Sequence, residues 1–190
     1  MVGALFCCPE TGGWGVILAR EEVQVGVASD GNGIVLLVPP LADRTKPKVS
    51  ELTAAGVIKI TYGLAGDGFD HQTTVNKIEA DRYTLAQALS LDGTKDDSIT
   101  FKYVYNRSTP TEVEAALGTP GIDYDVVKIL GYPNDHVITA TTKINAIIPI
   151  TTSLATDVPP AKNTELYKQM TPNIRGEVAR EHEITVVAGP

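Results

Sequence analysis

Hydrophobic and polar positions alternate most regularly between Ser98 and Thr152. In Ser98–Tyr105, Ile99, Phe101, Tyr103 and Tyr105 point one way and Thr100, Lys102 and Val104 the other. Period-2 alternation of aromatic and β-branched residues predicts a half-buried strand. Next comes Thr109-Pro110-Thr111-Glu112, which reads as a helix start. Thr109 stands at the cap, Pro110 at the first helical position, and Glu112 closes a capping box. Val113, Ala116 and Leu117 give the short helix one apolar face, Gly118 is placed to end it in a left-handed conformation, and Pro120 blocks its continuation. Tyr124–Leu130 and Val137–Thr152 return to strand character.

Upstream, Val16–Ala28 has strand character, with Val23, Val25 and Val27 alternating with Gln24 and Gly26. Asp30-Gly31-Asn32-Gly33 is a turn, Ile34–Val38 an apolar strand, and Val23–Val38 together predict a hairpin. Val49–Leu52 suggests one helical turn, and Ile58–Leu64 a strand. Two long polar stretches read as loops: Ala65–Thr84, and Ser153–Pro172 after the central block. Tyr83–Leu91 has helix-like spacing at Leu85, Ala88 and Leu89, with a strand as the alternative, and Asp92-Gly93 marks a turn. Gly176–Val187 is the last predicted strand, charged in its middle at Arg180-Glu181-His182-Glu183. The sum is a mainly β chain: an antiparallel β-sandwich or partly rolled barrel with one short flanking α-helix and long loops. Residues 1–28 are expected to form an N-terminal arm or leader, and residues 29–190 a single domain.

The 190 residues carry 16 basic and 23 acidic side chains, a net charge of −7. Nucleic-acid affinity comes mainly from Lys and Arg neutralising phosphates, so this chain is poorly suited to gripping DNA. The two cysteines, Cys7 and Cys8, are adjacent and cannot staple a fold, and no Cys or His partner for zinc lies nearby. No apolar run is long enough for a transmembrane helix. Met1–Cys8 is apolar, but it is short and lacks the basic start of a signal peptide.

Catalytic constellations are missing from the pattern. His71, His136 and His182 are far apart in sequence and fit no ligand spacing, and there is no nucleophile elbow, P-loop or dinucleotide fingerprint. Asp30 and Asn32 resemble a calcium-loop fragment without its later ligands, so a turn is the reading. Asn106-Arg107-Ser108 is an incidental sequon. The expectation is no catalysis, no cofactor and no metal.

Lys48-Val49-Ser50-Glu51-Leu52-Thr53-Ala54-Ala55-Gly56, a short strand and then Gly68-Phe69 resemble the opening of major tail tube proteins of actinobacterial siphophages. Ile99-Thr100-Phe101-Lys102-Tyr103-Val104-Tyr105-Asn106 with the following helix and strand, and the ending of a long loop leading to an Arg/Glu/His strand, are also similar to that family. The resemblance covers roughly Thr45 to Val187. It implies a virion protein, assembled in the host cytoplasm, whose protomers form hexameric rings that stack into a tube. Such a tube encloses the tape measure protein, meets a tail terminator, and conducts double-stranded DNA without binding it specifically. Other tail components of the same fold, a terminator or a contractile-tail inner tube, and a β-sandwich decoration module are the alternatives. Acidity suits a lumen that repels phosphate, with Asp92, Asp96 and Asp97 as lumen candidates. Asp67, Phe69, Asp70, Lys162 and Tyr167, on the two polar stretches, are the candidates for contacts between rings.

Overall fold

The fold was taken from a computed structural model, which describes residues 22–80, 82–83 and 89–189. Two open antiparallel sheets stack face to face. The first is built on β1 (Gly33–Val38), β5 (Asp123–Leu130) and β6 (Ala146–Thr151). On one side it is extended by β2 (Ile58–Lys59), and at β6 by β9 (Asn173–Ile174) and β10 (Ala179–Arg180). The second has the order β3 (Leu64–Ala80), β4 (Leu89–Val104), β8 (Tyr167–Met170), β7 (Thr156–Asp157). The expected sandwich is therefore present, and neither sheet closes into a barrel among the described residues.

The first sheet is buried on both faces, which is why its strands read as continuous apolar runs such as Ile34–Val38 rather than alternations. Val35, Leu37, Val126, Ile148 and Ile150 pack against Ile99, Phe101, Tyr103 and Met170 of the second sheet. The opposite residues, Ile34, Leu36, Val127, Ile129 and Ile147, are covered by Leu41, Leu52, Ile144 and Val186 from connecting segments and from α1 (Val49–Leu52). Pro149 stands inside β6 without an N–H to donate, and it falls where the partner strand changes. β10 pairs with Ala146 and Ile147, β9 with Ile150 and Thr151, so no ladder bond is lost there.

Asp125, fully buried, holds three segments together. Its Oδ2 accepts the Leu41 N–H at 2.7 Å, and its Oδ1 accepts from Arg44 Nε at 3.1 Å and Arg175 Nη2 at 2.9 Å. This fixes the chain after Pro40 and the chain before β10 to the central strand, and the buried carboxylate is left with partners on both oxygens.

The helix α2 (Glu112–Leu117) lays Val113, Ala116 and Leu117 into the core as expected, but it starts two residues later than predicted. Asn106 Oδ1 accepts from the backbone N–H groups of Ser108 and Thr109, a local turn that occupies the predicted cap. Thr111 caps instead, its Oγ1 accepting the Glu114 N–H at 3.2 Å. Gly118 is right-handed at φ −78°, and the left-handed glycine is Gly121 at φ +83°, beyond Pro120.

Several predicted elements are corrected. Most of the predicted loop Ala65–Thr84 is strand: Leu64–Ala80 is a 17-residue strand paired with β4, and residues 81 and 84 lie outside the described residues. Asp92-Gly93 is not a turn but lies inside β4. Of the helix-like Tyr83–Leu91, Leu89–Leu91 are strand, Tyr83 is in a turn, and residues 84–88 lie outside the described residues. Ser153–Pro172 contributes β7 and β8 to the second sheet. Ile58–Leu64 is a two-residue strand followed by a 3-10 turn, and only Ala146–Thr151 of Val137–Thr152 is strand. Gly176–Val187 contains only β10, because Glu181–Glu183 form a turn closed by the Glu183 N–H on the Arg180 carbonyl at 2.8 Å. β1 pairs with β5 and β2 rather than with Val23–Ala28, so the predicted hairpin does not form. The described part of the leader, residues 22–28, has no regular structure and is exposed; residues 1–21 lie outside the described residues.

Candidate assembly surface

The hairpin β3–β4 is the feature that the body of the fold does not use up. Its register runs from Phe69↔Phe101 at the sandwich to Ala80↔Leu89 near the tip, and the two strands keep one face in phase along this whole length. That face starts in the core with Phe69, Ile99 and Phe101, passes through His71, Thr73, Asp97 and Val75, and ends with Lys77, Glu79, Ser90 and Asp92. Between Val75↔Lys95 and Lys77↔Asp92, Gly93 and Thr94 of β4 stand opposite Asn76 alone, and this bulge shifts the side-chain alternation of β4 by one while β3 continues without interruption.

The opposite face carries no apolar side chain between Asp70 and Asn76 on β3 or between Thr94 and Lys102 on β4, and beyond the bulge it ends with Ile78, Ala80, Leu89 and Leu91. Its polar stretch holds Asp70 and Asp96 against Lys102, two carboxylates to one ammonium group. Lys77 donates to Asp92, which holds the Asp92 carboxyl below the usual carboxylate range. Asn76 Nδ2 donates to Asp96 at 2.9 Å.

Of the three candidate lumen acids, the fold places Asp96 on this polar face and Asp92 and Asp97 on the other, Asp92 beyond the bulge. Asp97 Oδ2 accepts from Arg180 Nη2 at 3.0 Å, and its Oδ1 accepts from Thr73 Oγ1 at 2.5 Å. Burial pushes the Asp97 carboxyl up, but the hydrogen bonds from Thr73 and Arg180 and the charges of Arg180 and His71 outweigh it and leave it lowered. His71 Nε2 lies 3.4 Å from Asp97 Oδ1, and burial holds the imidazole below its ordinary value despite that neighbour. The cluster ties the middle of the hairpin to β10. Sequence reading missed this role of Arg180, since the tie joins residues 83 apart.

The candidate ring contacts fall in three places. Asp67 lies in a bulge, where Ala65–Gly68 are accommodated between the Leu64↔Tyr103 and Phe69↔Phe101 pairs. Lys102 Nζ donates to both Asp67 oxygens at 3.0 Å and sits 5.1 Å from the Tyr167 ring centroid, so Asp67 and Tyr167 meet on one lysine. Phe69 is half-buried against Phe101 with centroids 5.7 Å apart, and Asp70 is exposed beside Gln72 on the polar face. Lys162 is exposed in a turn. Gly68 is required by the bulge: a Cβ there would stand 2.2 Å from the Lys102 carbonyl oxygen and 2.5 Å from the Ala65 nitrogen.

Among the described residues there is no group of three or more His, Cys, Asp or Glu placed to hold a metal, and no helix long and apolar enough to cross a membrane.

A comparison with solved structures finds a chain in the cryo-EM structure of the anti-feeding prophage (AFP) baseplate, 6-fold symmetrised, with TM-score 0.47 and 8% identity. The match covers 83% of this chain and 98% of that one. Among curated proteins none matches. A family model described as phage tail tube protein matches residues 22–187, which span both sheets, the hairpin and the Arg180 turn. The chain belongs to the phage tail tube protein family.

Proposed function

We propose that this protein, with residues 29–190 as its tube-forming domain, self-assembles into stacked hexameric rings. The rings form the tail tube of a siphophage built in the host cytoplasm. The tube encloses the tape measure protein, is closed by a tail terminator, and conducts double-stranded DNA, with no catalysis and no cofactor. The observation that carries the reading is the open edge of a hairpin, one face of which is polar from Asp70 to Asn76 and from Thr94 to Lys102. β3 and β7 are edge strands, and β3 offers 17 residues of backbone that pair on one side only among the described residues. An exposed edge of that length is a template for pairing with another copy, and ring closure removes it. A lumen lined by Asp96 and Asp70 repels phosphate and lets DNA slide. Asp67, Lys162 and Tyr167 are assigned to contacts between rings, beside Phe69 and Asp70 at the hairpin base.

Negative-stain electron microscopy of the purified protein at rising concentration tests the assembly. Stacked rings with a central channel are expected, and monomers at every concentration would refute it. Tubes of the Asp70→Lys/Asp96→Lys variant should retain DNA fragments in a salt-sensitive manner. Equal behaviour of variant and wild-type tubes would remove these two residues from the lumen.

A further inference from the structure

The tip of the hairpin and the segment before β1 are both exposed, and each has the complement of what the other lacks. At the tip, Ile78 faces its cross-strand partner Leu91 and Ala80 faces Leu89, so all four lie on one side of the ribbon. Ile78, Leu89 and Leu91 are 55%, 44% and 60% exposed. The same side of the ribbon is polar from Asp70 to Asn76, so the apolar patch is confined to the tip, where it stays exposed among the described residues. The edge of β3 beside this patch has no strand partner among the described residues, and β3 contains no proline to block one.

Residues 22–28 supply a strand without a sheet. Val23, Val25 and Val27 alternate with Gln24 and Gly26, a pattern that places three valines on one side when extended. They are 92%, 94% and 70% exposed, and no described residue pairs with their backbone. Seven extended residues span about 23 Å, enough to run along β3 from Val75 past Ala80. Both surfaces are open within the same chain, so they do not cover one another in cis.

We propose that residues 22–28 of one copy add as a strand to the free edge of β3 at the hairpin tip of a second copy. The valines extend the apolar side made by Ile78, Ala80, Leu89 and Leu91, and Gln24 and Gly26 join the polar side with Lys77 and Glu79. Backbone hydrogen bonds supply the attachment, and the alternating valines set the register, as in recognition by strand addition. This rests on the assembly reading above and specifies one of its contacts.

The test uses full-length chains with Cys7→Ser and Cys8→Ser. One set carries Ile78→Cys, and a second, tagged to differ in mass, carries Val23→Cys, Val25→Cys or Val27→Cys. The sets are mixed, assembled and oxidised, and the unmodified protein is imaged in parallel. The expected result is a mixed disulfide dimer at one or more of the valines, at least tenfold above a Tyr62→Cys control exposed elsewhere on the chain. Tubes that assemble without that dimer would overturn the strand addition and leave the tube reading standing. Unmodified protein that never assembles would overturn the tube reading and the strand addition with it. A disulfide that forms within single chains of an Ile78→Cys/Val25→Cys double variant at high dilution would overturn the second-copy assignment. Hydrogen exchange on the unmodified protein gives a readout independent of variant folding. Amides of 22–28 and 75–80 should slow at least tenfold on assembly, and unchanged rates at both would also overturn the proposal.

Discussion

Replacing Asp125 with Asn tests whether the buried carboxylate holds the three segments around it. In the folded chain it is inaccessible to solvent, and it accepts one backbone N–H and one donor from each of two arginines. Breaking a buried ion pair by removing one partner costs about 3–5 kcal/mol, chiefly because the remaining charge is left without compensation. Here the side chains of Arg44 and Arg175 are each 27% exposed, so both guanidinium groups recover some hydration when the carboxylate is lost. The asparagine oxygen also retains one acceptor. Both effects place the loss at the lower end, about 3 kcal/mol. With a urea slope of about 2 kcal/mol per molar, the midpoint falls by about 1.5 M. Arg44→Gln and Arg175→Gln each remove one charge-assisted bond and leave the other, so each should cost about 1.5 kcal/mol. Circular dichroism during urea unfolding, at a concentration below assembly so that association adds nothing to stability, measures all three. An Asp125→Asn midpoint within about 0.3 M of wild type, roughly a fifth of the expected shift, would refute the reasoning. The clasp would then be a by-product of packing rather than a cause of it.

Two further predictions concern the hairpin. Gly68→Ala pushes a methyl group onto the Lys102 carbonyl and the Ala65 backbone, neither of which can move without opening the bulge. A cost of about 2 kcal/mol, read as a fall in Tm of about 4–8 °C, is expected. Gly66→Ala, with nothing within 4 Å, should leave Tm nearly unchanged, and equal effects of the two would sink the argument. The imidazole of His71 is lowered by burial. Between an unfolded value of about 6.5 and the lower folded one, the unfolded chain binds a proton that the folded chain declines. Stability therefore falls as pH drops through that window. Comparing urea midpoints at neutral and mildly acidic pH should show a smaller drop for His71→Gln than for wild type, and an identical drop would exclude His71 as its source.

Much of the body was legible because its elements depend on local pattern. The alternation at Ile99, Phe101 and Tyr103, the apolar runs Ile34–Val38 and Tyr124–Leu130, and the Val113/Ala116/Leu117 face each declare a buried side. The hairpin was not legible as strands. One side of β3 is polar through Asp70, Gln72, Thr74 and Asn76 before reaching Ile78, and the other passes from His71 and Thr73 through Val75 to Lys77 and Glu79. Such a segment has no continuous apolar stripe and reads as a loop. Its strand conformation comes from pairing with β4 along 12 register positions, a non-local source of order. Gly176–Val187 erred in the opposite direction, because its alternating pattern is overridden by the turn at Glu181–Glu183.

By itself the sequence determined that this is a mainly β chain with a short capped helix and a net acid charge, because periodicity, caps and charge are properties of neighbouring residues. Its local motifs were also sufficient to suggest the tail tube family. Only the tertiary structure decided which carboxylates act together. Asp96 and Asp97 are adjacent in sequence, yet the pleat sends Asp96 to the open polar face and Asp97 inward to Arg180. Asp125 is one carboxylate among many in the sequence, and only folding brings residues 81 and 50 positions away to meet it. Which charge is exposed and which is locked depends on what lies across the sheet, and that is set by contacts between residues far apart in the chain.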